Sequence, residues 1–159
     1  MRGFSLVEVL ISALILAFLV IGISAVLNLG NLTYPVDTAL LDLQQQTRLG
    51  MDRMLRELRA ATGPSISGNN TVLTFNTLTE TNVQYSLDTA NNRVIRTNGT
   101  SRILANDITS LTFCCWHGGV CDATCSSSNV LQIQLGGAKN AMGKTLSFSL
   151  TGKIQLRNE

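Results

Sequence analysis

The segment from Phe4 to Leu27 constrains the fold of this chain most, because it is apolar apart from Glu8 and three serines. As a helix with a rise of about 1.5 Å per residue, it spans roughly 36 Å, more than the ~30 Å hydrocarbon core of a bilayer. A secretory signal peptide has a shorter apolar stretch and a cleavage site of small residues after it. The sequence therefore predicts a retained spanning helix, and Arg2 before it predicts a cytoplasmic N-terminus with the remainder outside.

Glu8 is the one charged side chain between Phe4 and Val36. A carboxylate within a membrane helix costs about 2.5–3.5 kcal/mol on insertion scales, so it normally has a partner. On one interpretation Glu8 lies near the interface and its carboxylate extends to water. On the other interpretation, a positive group reaches Glu8 within an assembly.

The run GFSLVEVLIS, from Gly3 to Ser12, resembles the N-terminal processing signature of type IV prepilins and type II secretion pseudopilins. In that family a prepilin peptidase cuts after the glycine and methylates the new N-terminal residue. The resemblance implies cleavage between Gly3 and Phe4, followed by N-methylation of Phe4. It also implies that Glu8 pairs with the N-terminal amine of a neighbouring subunit. The leader, with one basic residue, is shorter than is usual in the family.

The resemblance further implies a structural subunit and not an enzyme, without catalytic residues, metal or cofactor. The implied partners are other pilin or pseudopilin subunits, the prepilin peptidase, and an inner-membrane assembly platform. The implied location is a single span of the inner membrane with an extracytoplasmic C-terminal domain, and a pilus or pseudopilus after assembly. Residues 83–113 and the run GKIQLRN near the C-terminus look most like J- or W-type minor pilins and pseudopilins. Ala25, at a position where many major pilins have a proline, also favours a minor subunit.

The helix is expected to continue beyond the membrane. Apolar residues at spacings of three and four predict one buried stripe that packs on a following sheet, with charged side chains on the opposite face. The stripe comprises Leu40, Leu43, Thr47, Met51, Met54 and Leu58. Gly30, Asn31 and Pro35 are expected to kink or locally melt the helix, and Gly63-Pro64 to end it.

Beyond Pro64 short stretches of alternating apolar residues are separated by turns rich in Asn, Gly and Ser. Strands joined by short turns predict antiparallel pairing, and one sheet packed on the helix stripe buries both apolar surfaces. The predicted fold is α+β, with a long N-terminal helix on an antiparallel sheet. The predicted segments are a leader at 1–3, a spanning helix at 4–29, an amphipathic helix at 30–62, and a sheet domain at 63–159.

All four cysteines lie in the run CCWHGGVCDATC, at Cys114, Cys115, Cys121 and Cys125. An even number of cysteines outside the cytoplasm favours two disulfides. Adjacent cysteines on a strand point to opposite faces, so Cys114 and Cys115 are expected to have different partners. Three pairings are possible; because a bond between the adjacent cysteines is strained, the nested pairs Cys114–Cys125 and Cys115–Cys121 are favoured. Zinc held by the thiolates and His117 is the alternative, although only Cys121 and Cys125 have the usual ligand spacing.

Charge and motif content limit the other classes of function. The formal net charge is +2, so no nucleic-acid partner is predicted. The chain has one histidine, and the sequence shows no nucleophile–base constellation. A membrane-tethered binding module, or a thiol or zinc module that acts outside any filament, is the alternative function that the sequence leaves open.

Overall fold

A computed structural model of the chain describes residues 5–117, 120–122, 125 and 130–155, and no side chain is described at 32, 117 or 120–122. The described residues form one long helix and nine strands. Their bounds are α1 Leu6–Leu58, β1 Thr62–Ser67, β2 Val72–Asn76, β3 Val83–Asp88, β4 Arg93–Asn98, β5 Thr100–Asn106, β6 Ile108–His117, β7 Val120–Asp122, β8 Val130–Ala141 and β9 Lys144–Gln155. Contacts divide the chain into two compact units, Met1–Thr38 and Ala39–Glu159.

Helix α1 is continuous from Leu6 to Leu58, with Pro35 inside it. The prediction of local melting between Gly30 and Pro35 is therefore wrong, and a bend there stays a prediction. A proline inside a helix removes one backbone hydrogen bond, a loss that long helical flanks on both sides can absorb. The helix ends at Leu58, before the predicted stop at Gly63-Pro64, because Thr62 already begins strand β1.

The predicted stripe on the second half of α1 is confirmed. Five of its six residues are buried, namely Leu43, Thr47, Met51, Met54 and Leu58, and Leu40 is half-buried. The buried hydroxyl of Thr47 donates a hydrogen bond to the carbonyl of Leu43 at 2.8 Å, so no polar atom of the stripe lacks a partner. Arg48, Asp52, Arg53 and Arg56 on the opposite side are exposed.

The strands are antiparallel throughout but form two sheets, so the prediction of a single sheet is wrong. The first sheet has the order β1-β2-β3-β4-β5, and the second has the order β7-β6-β8-β9. The chain turns at Asp107, whose φ is +59°, and β6 then pairs with β8 and not with β5. The sheets remain adjacent, since the amide of Phe113 donates to the carbonyl of Asn70 at 2.8 Å.

One hydrophobic core is shared by the second half of α1 and both sheets. The largest buried side chains include Met51 and Leu58 from the helix, Phe75 and Tyr85 from the first sheet, and Phe113 from the second. Lys139 of β8 adds a polar link, with its ammonium 2.6 Å from Asp42 of α1 and 3.0 Å from Asp107. The fold is thus α+β, as the sequence predicted.

Candidate functional site

The first half of α1 presents an extended apolar surface. The helix is long and apolar enough to cross a membrane, and its most apolar window is 0% buried within the chain. Large side chains on every side of it are exposed, among them Leu10, Ile11, Leu16 and Leu19. An apolar surface of this extent is stable only in lipid or against other apolar surfaces.

Glu8 lies in the first turn of α1, where a carboxylate interacts favourably with the helix dipole. Its side chain is exposed, and within the described part of the chain no cation forms an ion pair with it. The predicted cleavage and methylation residues, Gly3 and Phe4, lie outside the described residues. The carboxylate of Glu8 therefore lies at the start of the apolar surface, where a cation from another molecule can reach it.

The cysteine segment is cross-linked differently from the favoured prediction. Cys115 is bonded to Cys125, with Cα atoms 5.1 Å apart, and Cys114 is also disulfide-bonded. The predicted pairs Cys114–Cys125 and Cys115–Cys121 are therefore wrong. Cys115 belongs to the buried core and Cys125 packs against that core, whereas Cys114 lies outside the cluster. Cys114 is nevertheless buried, with 4% of its surface exposed.

The disulfides bear on the zinc alternative as well. A sulfur in a disulfide is not a thiolate, so Cys114, Cys115 and Cys125 do not supply zinc ligands in this state. The side chains of His117 and Cys121 lie outside the described residues. Trp116 is half-buried, with the ammonium of Lys153 3.9 Å from its ring centroid, so its indole is covered on one face.

A charged cluster that the sequence analysis missed fixes the end of α1 on the first sheet. The hydroxyl of Tyr85 in β3 donates a hydrogen bond to Glu57 of the helix. The guanidinium of Arg96 in β4 donates to the same carboxylate, with Nη2–Oε1 at 2.5 Å and Nε–Oε2 at 3.1 Å. It also forms an ion pair with Glu80, which lies between β2 and β3. The cluster thus joins four chain segments.

Each ionisation state in this cluster has a physical cause. Burial, and then the bond to Glu57, hold the pKa of Tyr85 above its ordinary range, so the phenol stays a donor. The bond to Glu57 is the largest cause of the raised pKa of Arg96, and the bond from Arg96 is the largest cause of the lowered pKa of Glu80. Arg96 and Glu80 therefore stay charged at neutral pH and the phenol of Tyr85 stays protonated, which suits a structural role.

The sequence carried little signal for this cluster. Tyr85 and Arg96 are direct cross-strand partners, so their side chains share a face, and that depends on the register of β3 and β4. Glu57 precedes the buried Leu58 on the helix. Its place in the sequence does not show which strand residues it contacts.

No protein-family model, curated protein or solved structure matches this chain.

Proposed function

We propose that this protein is a structural subunit, a minor pilin or pseudopilin, which assembles into a type IV pilus or a type II secretion pseudopilus. The observation that carries the proposal is the exposed apolar surface of α1 with Glu8 in its first turn, a carboxylate that has no ion pair within the described part of the chain. The sequence from Gly3 to Ser12 adds to it, because it resembles the processing signature of that family.

The proposed mechanism is assembly and not chemistry. Before assembly, lipid surrounds the apolar half of α1, and in the filament the same surface packs on the corresponding helices of other subunits. Each state keeps the aliphatic side chains out of water, so moving between them exposes little apolar surface. In this mechanism the axial position of each subunit must be set by a directional, polar contact.

Glu8 supplies that contact in the proposal. After the peptidase cuts between Gly3 and Phe4, the amine of Phe4 provides a cation close to the apolar surface. Pairing of Glu8 with this amine on a neighbouring subunit compensates a carboxylate that the bundle would otherwise bury unpaired. A subunit shifted along the axis lacks the pair, and this difference selects the correct register.

The disulfide in the folded unit supports an extracytoplasmic location. Disulfides persist in oxidising compartments and are rare in the cytosol. The bond between Cys115 and Cys125 therefore favours a location of the sheets outside the cytoplasm. With α1 as a single span, this agrees with the orientation that Arg2 predicts.

The proposal is tested by Glu8→Ala in the cells that make the protein. Glu8→Ala is expected to remain in the membrane, because its helix becomes more apolar. Its incorporation into filaments is expected to fall at least tenfold, since losing one partner of a buried ion pair costs about 3–5 kcal/mol. Incorporation is measured as the amount of the subunit in sheared, purified filaments, relative to the amount in the membrane.

Ser12→Ala is the matched control, because the hydroxyl of Ser12 bonds only locally, to the carbonyl of Val9 at 2.9 Å. It lies one turn further along the same helix and should enter filaments normally. Normal incorporation of Glu8→Ala would refute the register mechanism. Absence of the unmodified protein from every filament fraction would refute the function itself.

A further inference from the structure

An open groove of about 620 Å³ lies between the last turns of α1 and the edge strand β5. The helix contributes Arg53 and Arg56, and β5 contributes Arg102, Ile103 and Leu104. The Glu57–Arg96–Glu80 cluster closes one side of it. All these residues belong to the unit Ala39–Glu159.

The groove carries a positive charge that the described residues do not neutralise. Four arginines and two glutamates line it, which leaves a formal excess of two positive charges. Both carboxylates, those of Glu57 and Glu80, form ion pairs with Arg96. Among the described residues Arg53, Arg56 and Arg102 form no ion pair, and all three side chains are exposed. Each guanidinium group has five N–H donors, so these three arginines keep donors for an anionic partner.

The fold sets the positions of these arginines. Arg96 and Arg102 are direct cross-strand partners, so both side chains lie on the face of the sheet where Tyr85 meets the helix. Nη1 of Arg53 donates to the carbonyl of Leu104 at 3.4 Å, which directs this side chain from the helix towards β5. The site is thus framed by a helix and two strands, with Arg53 linking the helix to β5.

The shape and the apolar content of the groove favour an extended peptide over a small anion. Its volume is large for one phosphate or sulfate, and its wall includes Ile103, which is 49% exposed. β5 is an edge strand of its sheet, a place where extended peptides bind proteins. Guanidinium groups pair with carboxylates in a bidentate geometry. A segment that alternates acidic and aliphatic side chains matches all of these features.

We propose that this groove binds an extended acidic segment of a partner protein, with carboxylates on Arg53, Arg56 and Arg102 and an aliphatic side chain on Ile103. The proposal goes beyond filament assembly and does not depend on it, because neither Glu8 nor the apolar half of α1 takes part. Either inference can therefore fail alone.

The test uses the full-length chain in detergent micelles and a short, capped, fluorescent peptide in which glutamate alternates with valine. Fluorescence anisotropy gives the Kd, and a peptide with glutamine in place of every glutamate is the matched control. The glutamate peptide should bind at least tenfold more tightly, and its affinity should fall as salt is added. Arg56→Gln and Arg102→Gln should each weaken binding roughly tenfold.

Arg48→Gln is the control variant, because Arg48 is an exposed arginine of the same helix outside the groove. It should leave the Kd unchanged. Arg56 and Arg102 are exposed, so their variants should unfold at the same temperature as the unmodified chain, which separates lost binding from lost folding. Equal affinity for the two peptides, binding unaffected by both arginine variants, or tighter binding of inorganic polyphosphate than of the glutamate peptide would each overturn the proposal.

Discussion

At Gly50 the helix approaches β5 so closely that a Cβ atom would lie 2.8 Å from the Cβ of Ala105. Glycine inside a helix is normally unfavourable, by about 1 kcal/mol relative to alanine. Here the missing side chain permits the approach that brings Met51 and Met54 into the core. Gly137 in β8 permits a second close approach, since its added Cβ would lie 2.7 Å from Cδ1 of Leu43 in the helix.

Gly50→Ala is expected to destabilise the folded unit despite alanine's higher helix propensity. Overpacking against a backbone-anchored methyl group costs about 1–3 kcal/mol, which exceeds the propensity gain. The melting temperature of the full-length chain in detergent should fall, as followed by the fluorescence of Trp116, the single tryptophan. In the double variant with Ala105→Gly, the loss should be smaller than the sum of the two single losses. A higher melting temperature for Gly50→Ala would contradict this account.

Residue identities were easier to predict than residue pairs. A charge in an apolar run and an even cysteine count are local signals, so the sequence singled out Glu8 and the four cysteines; disulfide bonding of Cys114, Cys115 and Cys125 is confirmed, and the role of Glu8 stays a prediction. The bond between Cys115 and Cys125 was not predictable, since it depends on which face of β6 meets the core. The Glu57–Arg96 pair depends in the same way on where α1 lies over the first sheet.

Among the elements, the long helix and the strands with alternating apolar residues were predicted from periodicity. β1 was missed because Thr62–Ser67 contains Gly63 and Pro64, which normally indicate a turn. Its position at the sheet edge explains how a proline is accommodated there. The division into two sheets was also missed, since it depends on the turn at Asp107 and on the long pairing of β8 with β9.

The Glu57–Arg96–Glu80 cluster, which joins α1 to the first sheet, predicts a loss of stability in acid. The pKa of Glu80 in the folded chain lies below its ordinary value of about 4.3, chiefly because Arg96 donates to it. A lowered folded pKa means that the unfolded chain binds the proton first. The stabilisation is therefore complete above this ordinary value and is lost as the pH falls through the folded pKa. Melting temperatures measured from pH 6 down to pH 3 should show this decline.

Glu80→Gln should melt at a lower temperature than the unmodified chain at pH 6, and its decline in acid should be shallower. Asp52→Asn is the matched control, because Asp52 is exposed and forms no ion pair among the described residues. If the melting temperature of Glu80→Gln falls as steeply in acid as that of the unmodified chain, protonation of Glu80 does not cause the loss of stability.

At the scale of the whole molecule, two surfaces stand apart in chemistry. The first half of α1 is apolar with one carboxylate at its start, and the groove beside β5 is polar with an excess of arginine. The first surface suits a helix that exchanges lipid for other helices, and the second suits an acidic segment of a partner. In the proposed function, subunits polymerise through the first surface, and Glu8 pairs with an amine that exists only after cleavage between Gly3 and Phe4. The N-terminus of the cellular protein therefore tests the proposal.

Mass spectrometry of the N-terminal peptide of the native cellular protein tests this claim most directly. The account predicts a peptide that begins at Phe4 and carries one added methyl group on its amine, in protein recovered from filaments. A peptide that begins at Met1, with no methyl group, in all of the cellular protein would contradict it.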